Sequence, residues 1–113
     1  MSIDHIAIQT TDIPASIDFY TERFGAQVLY RDDTWAFLKF GNCKLALVTP
    51  TQHPMHVAFA VTEAQLADHA KAHDKPIDEH RDGTKGIYIE DPSGNAVELI
   101  CYPKGQTLYG EKQ

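Results

Sequence analysis

The stretch His56-Val57-Ala58-Phe59-Ala60-Val61-Thr62-Glu63 decides the fold of this chain, because it repeats an earlier stretch. Fifty-one residues before it, the sequence is His5-Ile6-Ala7-Ile8-Gln9-Thr10-Thr11-Asp12. Both stretches begin with a histidine, a β-branched residue, an alanine and a large apolar residue, and both end in a threonine and an acidic residue. A repeat of this kind indicates two copies of one supersecondary unit. Each copy then begins with a strand that carries a histidine at the same position.

The hydrophobic pattern predicts the element order βαβββ in both halves. In the first half, a strand at residues 3–10 precedes a helix that Asp12 caps, that carries one apolar stripe and that Gly25 ends. The stripe consists of Ile13, Ile17, Tyr20 and Phe24. Three strands follow, at residues 26–32, 34–40 and 43–49, with Asp32-Asp33 as a turn between the first two.

The second half repeats this order. A strand at residues 55–61 leads into the capping box Thr62 to Gln65, which opens a helix that extends to about residue 73 and buries Leu66 and Ala70. The later strands are predicted at residues 77–81, which is weak and polar, 87–90 and 96–101. The turn signal of residues 91–95 separates the last two strands.

The length of 113 residues fits one domain with a modest core. We predict a single domain over residues 1–113, with one module at about 3–50, a second at about 55–102 and a tail at 103–113. A module of about fifty residues is too small to fold stably on its own. The two modules should therefore share a core or exchange with those of a second copy.

Composition excludes several classes of partner. A net charge of −6 and a pI near 5.4 argue against binding to a nucleic-acid backbone. Apolar runs are shorter than the roughly 18 residues of a membrane span, and residues 1–4 lack the features of a signal peptide. We expect a cytoplasmic protein that binds neither nucleic acid nor membrane. Cys43 and Cys101 lie in apolar strand patterns, which indicates reduced, buried thiols.

Glu98 is the first candidate for chemistry, because it interrupts an otherwise apolar strand. A carboxylate at such a position is either an exposed residue of an edge strand or a functional group, such as a metal ligand or a general base. Alignment of the turn Gly41-Asn42 with Gly94-Asn95 places Glu98 opposite Leu45 in the repeat. A position that is acidic in only one copy favours function over a surface role. The same alignment predicts that Leu45, in place of a carboxylate, prevents the first half from supplying a fourth protein ligand to a metal.

His5 and His56 occupy equivalent positions, and pseudo-two-fold symmetry brings equivalent positions together about its axis. A single histidine on a strand is more often structural than a ligand. Two imidazoles and one carboxylate, however, form the facial triad that leaves open positions on an octahedral metal. Small residues on the same strand faces leave room for a substrate beside the metal: Ala7, Ala58 and Ala96. We therefore predict a metal site built from His5, His56 and Glu98.

Other candidates carry a weaker signal. Tyr88, Trp35 and Phe37 lie on predicted strands and either line the cavity, with Tyr88 as a hydrogen-bond donor, or pack ordinarily. His69 and His73 are one helical turn apart, but a solvated helix face explains them better than a metal site does.

Several motifs together resemble the vicinal oxygen chelate superfamily, which includes glyoxalase I, extradiol dioxygenases, methylmalonyl-CoA epimerase, fosfomycin-resistance enzymes and bleomycin-binding proteins. The motifs are His5-Ile6-Ala7-Ile8, Asp12-Ile13-Pro14-Ala15-Ser16 with Phe19-Tyr20 and Phe24-Gly25, His56-Val57-Ala58-Phe59, and Asp91-Pro92-Ser93-Gly94-Asn95 with Glu98-Leu99. The resemblance covers residues 3–102 and is closest in layout to the fosfomycin-resistance transferases, in which Tyr88 falls on a site tyrosine.

The resemblance implies an α+β fold in which two βαβββ modules form a cup-shaped, partly open mixed β-barrel around a divalent metal. It assigns the metal to His5, His56 and Glu98, without choosing among Fe, Mn, Zn, Ni and Mg. It also implies a homodimer with module exchange, in which His5 comes from one chain and His56 with Glu98 from the other.

The expected function is that of a metal-dependent enzyme acting on a small molecule with adjacent oxygens, as a lyase, isomerase, dioxygenase or transferase. The metal would act as a Lewis acid, and Glu98 and Tyr88 are the candidate catalytic residues. Two alternatives stay open at this point. One is a metal-free protein that binds a drug or metabolite, and the other is Fe(II)-dependent ring cleavage.

Overall fold

The computed structural model describes residues 1–80 and 83–103. In chain order its elements are β1 (Ser2–Gln9), α1 (Ile13–Phe24), β2 (Gln27–Arg31), β3 (Trp35–Phe40), β4 (Cys43–Val48), β5 (His56–Ala60), α2 (Glu63–Ala72), β6 (Asp78–Glu79), β7 (Lys85–Glu90) and β8 (Ala96–Cys101). The predicted α+β class and the repeated order βαβββ are confirmed. The chain forms two compact units: a first unit of residues 4–57, and a second unit of residues 1–3 together with the chain from residue 58 onward.

The first unit carries its strands in the order β2-β3-β4-β1. β2, β3 and β4 are antiparallel neighbours, whereas β1 runs parallel to β4 with His5 paired to Lys44 and Ala7 to Ala46. A parallel pair needs a crossover connection. Here α1 begins that crossover after β1, and β2 and β3 complete it before β4.

Helix α1 forms where the sequence predicts it. The Asp12 side chain accepts a hydrogen bond from the Ala15 backbone N–H at 3.0 Å, and Gly25 ends the helix in the left-handed conformation with φ 71°. Ile13 and Ile17 pack in the core of this unit with Ala36, Leu38 and Leu47. The predicted apolar stripe is wrong at its last residue, because Phe24 is 61% exposed and meets the Phe19 ring edge to face on the helix surface.

The second unit carries its strands in the order β5-β8-β7-β6, in which β6, β7 and β8 are antiparallel. The predicted capping box is confirmed, because the Thr62 hydroxyl accepts from the Gln65 N–H while the Gln65 side chain accepts from the Thr62 N–H. Leu66 and Ala70 of α2 are buried as predicted, and they pack with Val61, Ile87, Leu99 and Cys101.

Boundaries differ from the predictions by one or two residues for most elements. β7 begins at Lys85, so Gly86 belongs to a strand and not to a turn. A Cβ at Gly86 would lie 2.8 Å from the Leu99 carbonyl oxygen, which explains why this strand position has no side chain. Arg81, Asp82 and the tail beyond Pro103 lie outside the described residues.

Both cysteines are free: Cys101 is buried and Cys43 is half-buried. Burial raises the pKa of the Cys101 thiol, which keeps it protonated and unreactive. Among the described residues, no helix is long and apolar enough to cross a membrane.

Candidate metal centre

Strand β1 places His5 on the sheet face that points away from α1. Leu45 and Leu47 of the neighbouring β4 pack towards the helix core, and alternation therefore turns Lys44 and Ala46 to the opposite face, beside His5 and Ala7. His5 is only 8% exposed. Its ring nitrogen Nδ1 lies 2.8 Å from Oδ2 of Asp4. The imidazole is thus held at one nitrogen by a carboxylate.

His56 is the first residue of β5 and is equally buried. Its Nδ1 lies 2.9 Å from the Pro54 carbonyl oxygen. A carbonyl oxygen can only accept, so the His56 Nδ1 carries the proton and donates it. The connector residue Pro54 therefore fixes the tautomer of His56, a function that its sequence pattern did not indicate.

The structure brings the two predicted histidines together within one unit. The ring centroids of His5 and His56 lie 5.5 Å apart with the ring planes 73° from one another. With Nδ1 of each ring bonded to an oxygen, Nε2 carries the lone pair in the neutral imidazole. Ligation through one nitrogen, with the other donating to a carboxylate or carbonyl, is the usual arrangement of metal-binding histidines. The donor chemistry of this pair therefore fits a divalent metal.

Glu98 lies in the second unit, on β8, and is 5% exposed. Its neighbour Leu99 packs against the α2 core, so alternation turns Glu98 to the opposite face, which it shares with Ile100 and Tyr102. A buried carboxylate is costly unless it is hydrogen-bonded or binds a cation. The exposed edge-strand explanation of Glu98 is therefore excluded. Like the two histidines, Glu98 is buried and offers a ligand atom to a metal.

Tyr88 pairs directly with Glu98 across β7 and β8. Burial, the Glu98 charge and a hydrogen bond to Glu98 raise the pKa of the Tyr88 phenol well above its ordinary value, and Asp78 adds to the shift. Tyr88 therefore keeps its proton at physiological pH and donates it to the Glu98 carboxylate. Whether Tyr88 also lines a cavity and donates to a substrate stays a prediction.

Two backbone hydrogen bonds, one in each unit, fix the true register of the repeat. In the first unit the Thr10 N–H donates to the Val48 carbonyl at 2.8 Å, and in the second the Val61 N–H donates to the Ile100 carbonyl at 2.9 Å. Thr10 and Val61 are equivalent in the sequence repeat. Val48 and Ile100 are therefore equivalent as well.

Ala46 lies two residues before Val48, and Glu98 lies two residues before Ile100. Ala46 and Glu98 are therefore equivalent positions in the repeat. The predicted equivalence of Glu98 with Leu45 is wrong, because Leu45 packs in the core beneath α1. The error comes from the hairpins: the paired residues Phe40 and Cys43 enclose two residues, whereas Glu90 and Ala96 enclose five. Alignment of the two turns therefore shifts β4 by one residue, which exchanges its faces.

Phe37 and Trp35 lie on β3 in the first unit. The Phe37 ring meets the His5 ring edge to face at 5.4 Å and is 2% exposed, and Trp35 contacts Phe37 at 5.7 Å between centroids. Both predicted lining residues thus belong to the surroundings of His5. Whether they contact a substrate stays a prediction.

Sequence reasoning missed Asp4 and Lys44. Lys44 is 8% exposed, its Nζ lies 3.2 Å from Oδ1 of Asp4, and it lies over the Phe37 ring at 5.4 Å. The sequence contained one indication of Lys44, because the alternation of side chains along β4 puts this lysine on the same buried face as Ala46.

The remaining histidines lie elsewhere. His69 and His73 stack on the exposed face of α2, where the His73 ring also bonds the His69 carbonyl at 2.9 Å, as expected for a solvated helix end. His80 is bonded to the hydroxyl of buried Thr84 at 2.8 Å. The His53 ring lies 6.1 Å from that of His56.

Residues 2–99 match the family described as the glyoxalase/bleomycin resistance protein/dioxygenase superfamily. The chain belongs to this superfamily, as the motif resemblance implied. Among curated proteins it is 30% identical over 112 residues to the metallothiol transferase FosB of Staphylococcus haemolyticus, covering 86% of this chain and 81% of that protein. It is 29% identical to the glyoxalase domain-containing protein RDO1 of Mycosarcoma maydis, covering 89% of this chain and 68% of that protein.

Solved structures share the fold. Methylmalonyl-CoA epimerase of Streptomyces coelicolor, in complex with 2-nitronate-propionyl-CoA, aligns with a TM-score of 0.67 at 21% identity, over 90% of this chain and 97% of that one. Methylmalonyl-CoA epimerase of Mycobacterium tuberculosis aligns with a TM-score of 0.69 at 13% identity, over 90% and 88%. At these identities the likeness establishes the fold alone.

Proposed function

We propose that this protein is an enzyme that depends on a divalent metal ion and acts on a small molecule with adjacent oxygen atoms. His5, His56 and Glu98 hold the ion. The observation that carries the proposal is the pair of buried, adjacent imidazoles, each bonded through Nδ1 to an oxygen and so prepared to ligate through Nε2. The buried carboxylate of Glu98 supplies the third donor of a facial triad.

The residues around the proposed metal centre have separate roles. A bound divalent ion supplies a Lewis acid for the substrate oxygens. Tyr88 holds the Glu98 carboxylate in place through its hydroxyl group. Phe37 and Trp35 form an apolar wall beside His5, which limits water there. Two imidazoles and one carboxylate suit Fe, Mn, Zn, Ni and Mg, so the donor set leaves the choice of metal open.

Thiol transfer is the narrower candidate reaction, because the curated relatives at about 30% identity carry the name metallothiol transferase. Asp78 is the register partner of Gly86, two residues before Tyr88, and its negative charge acts on the Tyr88 phenol. A carboxylate there disfavours an anionic phosphonate as substrate. We therefore infer that the molecule to which a thiol is transferred is a neutral electrophile. The assay measures whether free thiol is lost in the presence of such an electrophile, and whether that loss depends on the metal.

Metal content separates the proposal from its alternatives. A metal-free protein that binds a drug or metabolite would purify without a stoichiometric metal. Anaerobic purification followed by elemental analysis decides between the two, and oxygen consumption with a catechol would indicate ring cleavage. The cytoplasmic location and the homodimer also belong to this proposal.

Replacement of Glu98 by Ala tests the ligand assignment. We expect metal affinity to fall by more than the roughly 10–100-fold that loss of an outer-shell partner causes, since a direct ligand is removed. Competition with a chromophoric chelator measures the affinity, and circular dichroism checks the fold. Glu22→Ala, at an exposed glutamate of α1, is the matched control and should bind as the parent does. Equal affinity in Glu98→Ala and the parent would contradict the assignment.

A further inference from the structure

Asp4 links His5 to a buried lysine. One carboxylate oxygen, Oδ2, lies 2.8 Å from Nδ1 of His5, and the other, Oδ1, lies 3.2 Å from Nζ of Lys44. All three residues are buried, each with 8% of its surface exposed. His5 and Lys44 are register partners on β1 and β4, and Asp4 directly precedes His5 in the chain.

A buried ion pair is a poor source of stability. Removing both charges from water costs about as much as their attraction returns, and apolar side chains of similar volume often replace such pairs without loss. Ala46 and Ala7, also on this face, show that small apolar residues fit there. Stability alone therefore does not explain why an aspartate and a lysine lie beside a histidine ligand.

We propose that Asp4 and Lys44 are positioning residues for His5, an inference that rests on the proposed function. The Asp4 carboxylate accepts the Nδ1 proton of His5, which fixes the tautomer with Nε2 available to the metal and fixes the ring orientation. Lys44 holds the second oxygen of Asp4, which fixes the orientation of the carboxylate. Lys44 is itself held over the Phe37 face, which the His5 ring also contacts.

The two histidines are therefore supported unequally. His56 donates to the neutral carbonyl of Pro54, whereas His5 donates to a carboxylate. A charged acceptor makes the stronger hydrogen bond. The contribution of His5 to metal affinity should consequently depend on side chains that mutation can remove.

Three variants separate positioning from a structural role: Asp4→Asn, Lys44→Met and the double variant. We expect Asp4→Asn to bind Zn²⁺ roughly 10–100-fold more weakly than the parent, the range for loss of an outer-shell partner. Lys44→Met alone leaves Asp4 without its buried cation and should lower the thermal midpoint. The double variant should regain that midpoint yet keep the weak binding of Asp4→Asn. Asp18→Asn, at an exposed aspartate of α1, is the control and should bind as the parent does.

The outcomes are distinguishable. If the parent itself binds no stoichiometric Zn²⁺, the proposed function fails and this inference fails with it. If the parent binds and Asp4→Asn binds equally well, only the positioning role is overturned. A second measurement does not depend on any variant folding: in the metal-free parent, nitrogen NMR of the imidazole should find the His5 proton on Nδ1. A proton on Nε2 alone would overturn the proposal.

Discussion

Ala46 occupies, in the first unit, the position that Glu98 has in the second. It lies on β4 as the register partner of Ala7, two residues beyond the pairing of His5 with Lys44. The methyl group of Ala46 therefore leaves open the place where the other repeat has a carboxylate. Ala46, and not Leu45, is therefore the position from which the first repeat could supply a fourth protein ligand.

Ala46→Glu should therefore tighten metal binding. A carboxylate at this position adds a fourth donor, the second that is negatively charged, and a negatively charged ligand suits a divalent cation. Ala46→Gln is the matched control, because it adds nearly the same volume without the charge. Chelator competition should give higher Zn²⁺ affinity for Ala46→Glu than for Ala46→Gln.

At the neighbouring residue Leu45, we expect a glutamate to have the opposite effect. Leu45→Glu puts a carboxylate into the apolar core beneath α1 and should lower the free energy of unfolding by about 1–3 kcal/mol without any gain in metal affinity. If Leu45→Glu tightened metal binding and Ala46→Glu did not, the register derived from the two backbone hydrogen bonds would be wrong.

Among single residues, the repeat predicts the two histidines but not Asp4 and Lys44, which contact each other beside His5. His5 and His56 recur at equivalent positions, so the sequence alone identifies them as a pair. Asp4 and Lys44 have no counterpart in the second repeat, where Met55 and Ala96 stand instead. Their contact depends on the parallel pairing of β1 with β4, which a linear pattern does not reveal.

Among elements, the turn between β2 and β3 depends on one ionised side chain. Oδ1 of Asp32 accepts hydrogen bonds from the backbone N–H groups of Thr34 and Trp35, and Oδ2 accepts one from the Tyr30 hydroxyl group. The Tyr30 hydrogen bond first, and then the Thr34 N–H, lower the pKa of Asp32 from 3.8 to about 2. The predicted plain turn is therefore a side-chain-capped turn.

Asp32→Ala should destabilise the protein by about 1 kcal/mol at neutral pH, a modest figure because the side chain is exposed and solvent screens its charge. The folded-state pKa is depressed, so this stabilisation is complete above the unfolded-state value of 3.8 and is lost as pH falls through about 2. Urea unfolding of parent and variant at neutral pH and near pH 2 should show the difference shrinking in acid. Asp33→Ala is the control, and a difference that did not change with pH would contradict the charge argument.

The helices were more predictable than the strand register. Both N-caps and the glycine that ends α1 follow from local chemistry that the sequence displays directly. The register of β4 does not, because it depends on the lengths of two hairpin loops that differ by three residues between the repeats. A shift of one residue then exchanges the two faces of a strand, which is how Leu45 was assigned to the wrong face.

For the whole molecule, the chain arrangement is the property that the repeat predicts least well. Two modules that each lack a sufficient core can share one within a chain or exchange between two chains. The resemblance implied an exchanged homodimer with His5 from one chain and His56 from the other. In the structure the two rings of one chain already lie 5.5 Å apart, so exchange is not needed to unite them.

Mixing two inactive variants distinguishes these arrangements. His5→Ala and Glu98→Ala, unfolded, mixed and refolded together, form heterodimers if the protein is a dimer. In an exchanged dimer one site would then have all three ligands and the other would lack two, so metal binding would return to about half of the sites by the two-fold symmetry. With each site inside one chain, every site keeps one defect.

Because His5 and His56 of one chain are adjacent, the chain that supplies Glu98 is what this experiment determines. If Glu98 comes from the same chain as the two histidines, mixing restores no metal binding. Size-exclusion chromatography with light scattering shows whether dimers form, and differently tagged variants show whether the chains have mixed. Parent chains refolded in the same way are the control, and they should recover full metal content. Return of binding to about half of the heterodimer sites would instead establish exchange of modules, with the ligand set divided between two copies of this chain.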